Sequence, residues 1–144
     1  MNQFHKFTIE ERVRWGDVDA ASIIFYGSYI RFFEIAETEL FRSVGMPYGK
    51  VFEELDIWLP RVQFHIDYRS PVKLDDLVDV EIWISRIGRS SIRFELSMKN
   101  QDGGLAAEAY LVIVAISRQD GRSVEVPALL VQALAPYRTD LQSA

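Results

Sequence analysis

Along this chain the spacing of apolar positions changes, and each change marks an element. Residues 7 to 15 alternate imperfectly, with Phe7, Ile9, Val13 and Trp15 in one register, which predicts a half-buried strand. From Phe25 to Val44 the apolar positions (Tyr26, Tyr29, Ile30, Phe32, Phe33, Ile35, Ala36, Leu40, Phe41, Val44) cover far more than one narrow stripe, which predicts a helix enclosed on most sides. Gly45 supplies a stop one residue past its end, and Pro47 reinforces it. A mixed segment from Val51 to Asp56 reads as a short helical turn.

The rest reads as strands. Val62, Phe64, Ile66 and Tyr68 alternate with Arg61, Gln63, His65 and Asp67 until Pro71 breaks the run. Val78, Val80, Ile82 and Ile84 repeat the pattern, and Gly88 turns the chain into Ile92, Phe94, Leu96 and Met98, so these two strands form a hairpin. Asp102-Gly103-Gly104 is the next turn, a longer apolar run from Leu105 to Ile116 predicts a well-buried strand, and Asp120-Gly121 closes it. The order is strand, long helix, then four strands, with no linker or repeat. An α+β domain in which an antiparallel sheet packs around one helix buries so apolar a helix most simply. One helix on one sheet makes a thin domain, and its uncovered face and edges predict a homo-oligomer.

Composition narrows the function. The 144 residues suit a single domain spanning 1–144, with 49% hydrophobic and 26% charged residues as in a soluble globular protein. No apolar run approaches a membrane span and the amino terminus lacks a signal-peptide pattern, so a cytoplasmic protein without membrane contact is expected. The net charge of -5 argues against a general nucleic-acid surface, although Arg86, Arg89 and Arg93 make a local cationic cluster. The absence of cysteine removes disulfides, thiolate metal sites and cysteine nucleophiles. Two histidines without ligand spacing give no support to a metal site, and no G-x-S-x-G elbow indicates a serine hydrolase.

The chemistry lies in Trp15-Gly16-Asp17-Val18-Asp19, two carboxylates just ahead of the long helix. Unpaired N–H groups at a helix start can polarise a carbonyl while a nearby carboxylate attacks it or activates water. Taken alone, Asp17-x-Asp19 also fits a turn in which both side chains accept backbone N–H bonds. Glu34 and Glu37, three apart on one helix face, meet either substrate or solvent. Phe25, Trp58 and Phe64 form either an aromatic ligand-binding wall or core packing.

The segment from Gly16 to Tyr29, a D-x-D followed by small residues, two apolar residues and an aromatic-Tyr pair, resembles the active-site segment of the 4-hydroxybenzoyl-CoA thioesterase family of hotdog-fold proteins. Gly45-Met46-Pro47, Ser70-Pro71-Val72, Arg89-Ser90-Ser91 and Glu125-Val126-Pro127 extend the likeness over nearly the whole chain. The resemblance implies a curled antiparallel sheet wrapped around one long central helix, dimers or tetramers with active sites at subunit interfaces, and hydrolysis of an acyl-CoA substrate with no cofactor beyond the coenzyme A of the substrate itself. It implies Asp19 as nucleophile or general base, Asp17 as a structural neighbour and the backbone N–H of Tyr26 as the carbonyl-polarising donor. Phe25, Glu34 and Trp58 are then candidates for the acyl pocket, and Arg86, Arg89, Ser90 and Ser91 for the coenzyme A phosphates. The turn Ala20-Ala21-Ser22 departs from relatives that often carry glycine there, and the His-Val-Asn-Asn signature of other relatives is not matched. Alternatives within reach of the resemblance are an acyl-carrier-protein thioesterase and a non-catalytic acyl-CoA-binding protein; a hotdog dehydratase would want a catalytic His near this loop, and neither His5 nor His65 is there.

Overall fold

A computed structural model describes residues 5–141. Strand β1 (Phe7–Arg12) is followed by the central helix α1 (Tyr29–Ser43), a short helix α2 (Tyr48–Leu55) and strands β2 (Ile57–Trp58), β3 (Arg61–Tyr68), β4 (Leu77–Ile87), β5 (Ser91–Lys99), β6 (Leu105–Val114) and β7 (Ile116–Ser117), with a final helix α3 (Ala128–Leu134). The five long strands form one antiparallel sheet in the order β1-β4-β5-β6-β3, and β2 pairs with β7 in a separate ribbon.

The sheet turns one face toward α1. Val80, Ile82 and Ile84 of β4 stand opposite Met98, Leu96 and Phe94 of β5, all buried, so their side chains make one apolar layer. Phe32, Phe33, Ala36, Leu40 and Phe41 of α1 pack on that layer and are buried. Truncating a fully buried ring such as Phe41 to Ala in such a layer costs about 3–5 kcal/mol. The helix ends as its sequence predicts: Gly45 sits at φ +79°, its N–H donates to the Arg42 carbonyl, and the Met46 N–H donates to the Phe41 carbonyl, the paired bonds of a Schellman motif. The Gly88 turn likewise joins β4 to β5, with the Gly88 N–H donating to the Ser91 carbonyl at 2.8 Å.

Several boundaries differ from expectation for local reasons. The first strand ends at Arg12, and Trp15, expected on its buried register, is 82% exposed in a one-turn 3-10 helix at Trp15–Asp17. The helix begins at Tyr29, because Phe25 is extended (ψ 136°) and Tyr26–Ser28 is again 3-10. The last apolar run divides at Ala115, whose N–H donates to the Ser90 carbonyl, and Ile116 leaves the main sheet for the β2–β7 ribbon. Helix α3 lies beyond the elements the hydrophobic pattern predicts; Leu130 and Leu134, four apart and fully buried, are its sequence trace. Among the described residues no helix is long and apolar enough to cross a membrane. Strand β3 lies at the sheet edge with Val62, Phe64 and Tyr68 exposed, an open ladder carrying apolar side chains.

Candidate active site

Between β1 and α1 the chain makes a narrow reversal. Its legs are tied by the Phe25 N–H to the Asp17 carbonyl at 2.8 Å, a Val18–Ile24 bridge, and the Asp19 N–H to the Ile23 carbonyl at 2.9 Å. The tip is Ala20-Ala21-Ser22, and Ser22 stands at φ +61°, the left-handed conformation that glycine occupies without steric cost. The departure from a glycine-rich turn is thus accommodated by a strained serine. The Ile24 N–H to the Val72 carbonyl (2.7 Å) and the Leu74 N–H to the Ser22 carbonyl (3.0 Å) anchor the reversal to the segment after Pro71.

This geometry separates the two aspartates. Asp17 is 4% exposed and its carboxylate accepts the Arg14 N–H (2.7 Å) and two bonds from the Arg31 guanidinium (2.7 and 2.6 Å). Burial alone would raise its pKa, but the Arg31 bonds and the Arg14 N–H prevail and hold it below the usual aspartate value. Glu11 also accepts a bond from Arg31, tying β1 to α1. Asp19 is exposed. One of its oxygens accepts the Ala21 N–H at 2.8 Å, and the other makes no hydrogen bond among the described residues. With Trp15, Val18, Ala20 and Ser22 it lines an open cavity.

Tyr26 opens the 3-10 turn that leads into α1, where a first N–H has no intrahelical acceptor. Its carbonyl accepts the Tyr68 hydroxyl at 3.2 Å and its ring is 69% exposed. The ring of Phe25 rests on Tyr26 (centroids 4.6 Å apart) and over Gly27, where a Cβ would come within 2.7 Å of it. Gly27 therefore admits the Phe25 ring, and Phe25 lines none of the cavities described here.

Further along α1 a cavity of about 200 Å³ opens between the helix and the edge of the sheet, walled by Ile30, Phe33, Phe64 and Leu111. Glu34 lines it, as do Glu37 and Arg61. Glu37 is 1% exposed and is ion-paired with Arg61. Burial raises the Glu37 pKa, and the opposing pull of Arg61 does not cancel it. The buried Tyr48 hydroxyl beside them makes no hydrogen bond of good geometry, and burial together with Glu37 raises its pKa. Sequence reasoning missed Arg61 and Tyr48 and left Glu37 undecided. The available signal was a carboxylate one helical turn from Glu34, amid apolar neighbours.

Other candidates lie elsewhere. Trp58, expected at the acyl wall, packs against Phe52 (5.2 Å) under the Arg118 guanidinium (4.5 Å) in the β2–β7 region and does not line the cavity. Arg93 leaves the cationic cluster, since it bonds Glu95 at 2.8 Å and lies 3.9 Å over the Tyr110 ring. Arg86 and Arg89 are exposed, with Ser90 and Ser91 half-buried beside them, on the β4–β5 turn. In one protomer that turn is remote from Asp19. The motif follows β1, which ends opposite Leu77, and the 11 residues of β4 from Leu77 to Ile87 span about 30 Å. Among the described residues no group of three or more His, Asp or Glu is placed to hold a metal ion.

Comparison with known proteins agrees with this architecture. The family model of the thioesterase-like superfamily matches residues 13–134. The acyl-CoA thioesterase YbgC of Haemophilus influenzae is 34% identical over 89 residues, 62% of this chain and 65% of that protein. A 1,4-dihydroxy-2-naphthoyl-CoA hydrolase of Synechococcus is 27% identical over 126 residues, 83% of this chain and 85% of its own. The solved 1,4-dihydroxy-2-naphthoyl-CoA thioesterase of Synechocystis superposes with a TM-score of 0.85 at 20% identity, covering 91% of this chain and 96% of that one. A Staphylococcus aureus protein solved in complex with CoA gives 0.85 at 22% identity, covering 93% and 84%. The match is thus to the wider superfamily, through relatives of these names, and not specifically to the 4-hydroxybenzoyl-CoA thioesterase family suggested by the motif.

Proposed function

Because the chain belongs to the thioesterase-like superfamily of hotdog proteins, we propose that it is a thioester hydrolase converting an acyl- or aroyl-CoA to free acid and coenzyme A, with Asp19 as the reacting carboxylate. The contrast between the two aspartates carries this reading. Asp17 is buried and already holds three hydrogen bonds from Arg31 and Arg14, whereas Asp19 keeps an oxygen free on an open cavity. Asp19 either attacks the thioester carbonyl, giving a mixed anhydride that water then cleaves, or takes a proton from the attacking water. In both routes the C–S bond breaks and coenzyme A leaves as the thiol. The oxyanion is stabilised by the Tyr26 N–H, a kind of contact worth roughly 3–4 kcal/mol when removed.

The acyl group enters the cavity beside Glu34, and Phe25, packed on Tyr26 and over Gly27, holds the helix entrance in shape. Arg86, Arg89, Ser90 and Ser91 serve the coenzyme A phosphates of a neighbouring subunit, since about 30 Å of strand separates them from Asp19 in their own. A homodimer or tetramer is the form in which such a site is complete, and the free, apolar edge of β3 suits pairing between copies. A panel of alkyl- and aryl-CoA thioesters, followed by thiol release, tests the reading. Steady turnover of at least one is expected. Release from none of them contradicts it, and strong preference for acyl-carrier-protein esters would move the substrate to the carrier.

A further inference from the structure

The cavity along α1 has an apolar wall but an ionic end, which a plain hydrocarbon tail does not explain. Isolating a carboxylate as thoroughly as Glu37 is costly, and pairing it with Arg61 offsets that only in part. A core Leu at this position would pack without that cost. The pair is also incompletely used. Arg61 spends one terminal nitrogen on Glu37 and holds the Leu59 carbonyl with the other at 3.4 Å, while its Nε has no partner among the described residues. The guanidinium lies 5.8 Å from the Tyr48 ring centre, and the buried Tyr48 hydroxyl sits beside the pair without a hydrogen bond of good geometry. Arg61 itself is 45% exposed on the lining of the cavity, so its spare donor is open to water or to a polar atom of a ligand. Position gives the length. From Tyr29, at the start of α1, to Glu37 is about 12 Å along the helix axis, beyond the reach of a single aromatic ring held at the helix start. Charge gives the sign. With Glu34 and Glu37 against Arg61, the cavity carries a net negative charge, which disfavours a carboxylate tail.

We propose that the Glu37–Arg61 pair reads the far end of the acyl group, selecting medium-length chains that end in a neutral hydrogen-bonding group such as a hydroxyl. Arg61 donates to the tail oxygen, and Glu37 fixes the guanidinium and accepts a hydrogen bond from the tail hydroxyl. This deepens the thioesterase reading and rests on it for the direction in which the acyl chain runs.

Three CoA esters of one chain length test it: decanoyl, ω-hydroxydecanoyl and ω-carboxynonanoyl. Their kcat/KM is measured alongside calorimetric binding of the matching free acids, which reports on the cavity whether or not any ester turns over. The hydroxyl-tailed ligand should be favoured over the plain one by about tenfold, the gain expected from a hydrogen bond to a charged group, with the carboxyl-tailed one weakest. Arg61→Met should bring the hydroxyl-to-plain ratio close to one; if it does not fold, Glu37→Leu/Arg61→Met removes both charges and should do the same. A wild-type protein that binds the plain chain as well as the hydroxylated one, or a ratio unchanged in these variants, overturns the proposal. Absence of thiol release with the binding preference intact would count against the hydrolase reading while leaving this one standing.

Discussion

The helix-entrance loop and the cavity along α1 use the same device and obtain opposite electrostatics from it. Each brings two carboxylates close in sequence, ties one to an arginine and leaves the other open: Asp17 to Arg31 with Asp19 free, Glu37 to Arg61 with Glu34 on the cavity wall. In the loop the arginine prevails and the Asp17 pKa falls, whereas in the cavity burial prevails and the Glu37 pKa rises. The difference lies in the other donors. Asp17 accepts a backbone N–H and a two-pronged guanidinium, while Glu37, desolvated more completely and repelled by Glu34, has one guanidinium nitrogen and the nearby Tyr48 hydroxyl to offset its burial. A strongly satisfied carboxylate is a fixture, and a poorly satisfied one retains capacity for a ligand.

Of the two tied carboxylates, the loop's fixture carries the larger expected effect on stability. Asp17→Ala strands a partly buried Arg31 and the Arg14 N–H, and should lower unfolding free energy by about 2–4 kcal/mol, measured by urea denaturation. An effect below about 0.5 kcal/mol would remove Asp17 from its structural role. The two tied carboxylates should also respond to pH with opposite signs. The folded pKa of Asp17 lies below its ordinary 3.8, so its contribution is present above that value and is lost as pH falls toward the folded pKa. The folded pKa of Glu37 lies above its ordinary 4.5, so its contribution is present below that value and is lost as pH rises through the folded pKa. Urea midpoints followed across acidic pH should therefore show Asp17→Asn gaining on wild type as pH falls below about 4 and Glu37→Gln gaining as pH rises above about 4.5. Slopes of the same sign would defeat the contrast.

Smaller effects sharpen it. Ser22→Gly relieves a left-handed backbone at the tip of the loop and should stabilise by about 0.5–1 kcal/mol, whereas Ser22→Ala, which keeps the strain, should not; equal melting temperatures for the two would show that the turn is unstrained. Tyr26→Phe should leave kcat/KM within about twofold, because the proposed donor is main chain, and a large loss would move the role to the hydroxyl.

How much of this was visible in the residues follows from which signals are local. The hairpin at Gly88, the alternation of β4 and β5 and the Gly45 cap depend on neighbours in sequence, and they match the structure. The helix α3 and the exposure of Trp15 do not: each depends on what distant segments cover. The same holds for the site. The spacing Asp17-x-Asp19 does not tell the two acids apart by itself; the resemblance assigns them different parts, and the physical reason shows only when Arg31, 14 residues from Asp17, is seen to claim one of them. Arg61, 24 residues from Glu37, is equally silent in sequence, as is the 30 Å scale that separates the Arg86–Ser91 turn from the loop in one protomer.

The most direct measurement is therefore the turnover of Asp19→Asn on an acyl-CoA that the wild-type protein hydrolyses, alongside its urea unfolding curve. Asp19 is exposed and accepts one local hydrogen bond, so stability should stay within about 0.5 kcal/mol of wild type. The rate should fall by about 10² to 10⁴, the scale for losing a positioned acid-base group. A well-folded Asp19→Asn protein with near-normal turnover would contradict the assignment of the open carboxylate as the reacting one.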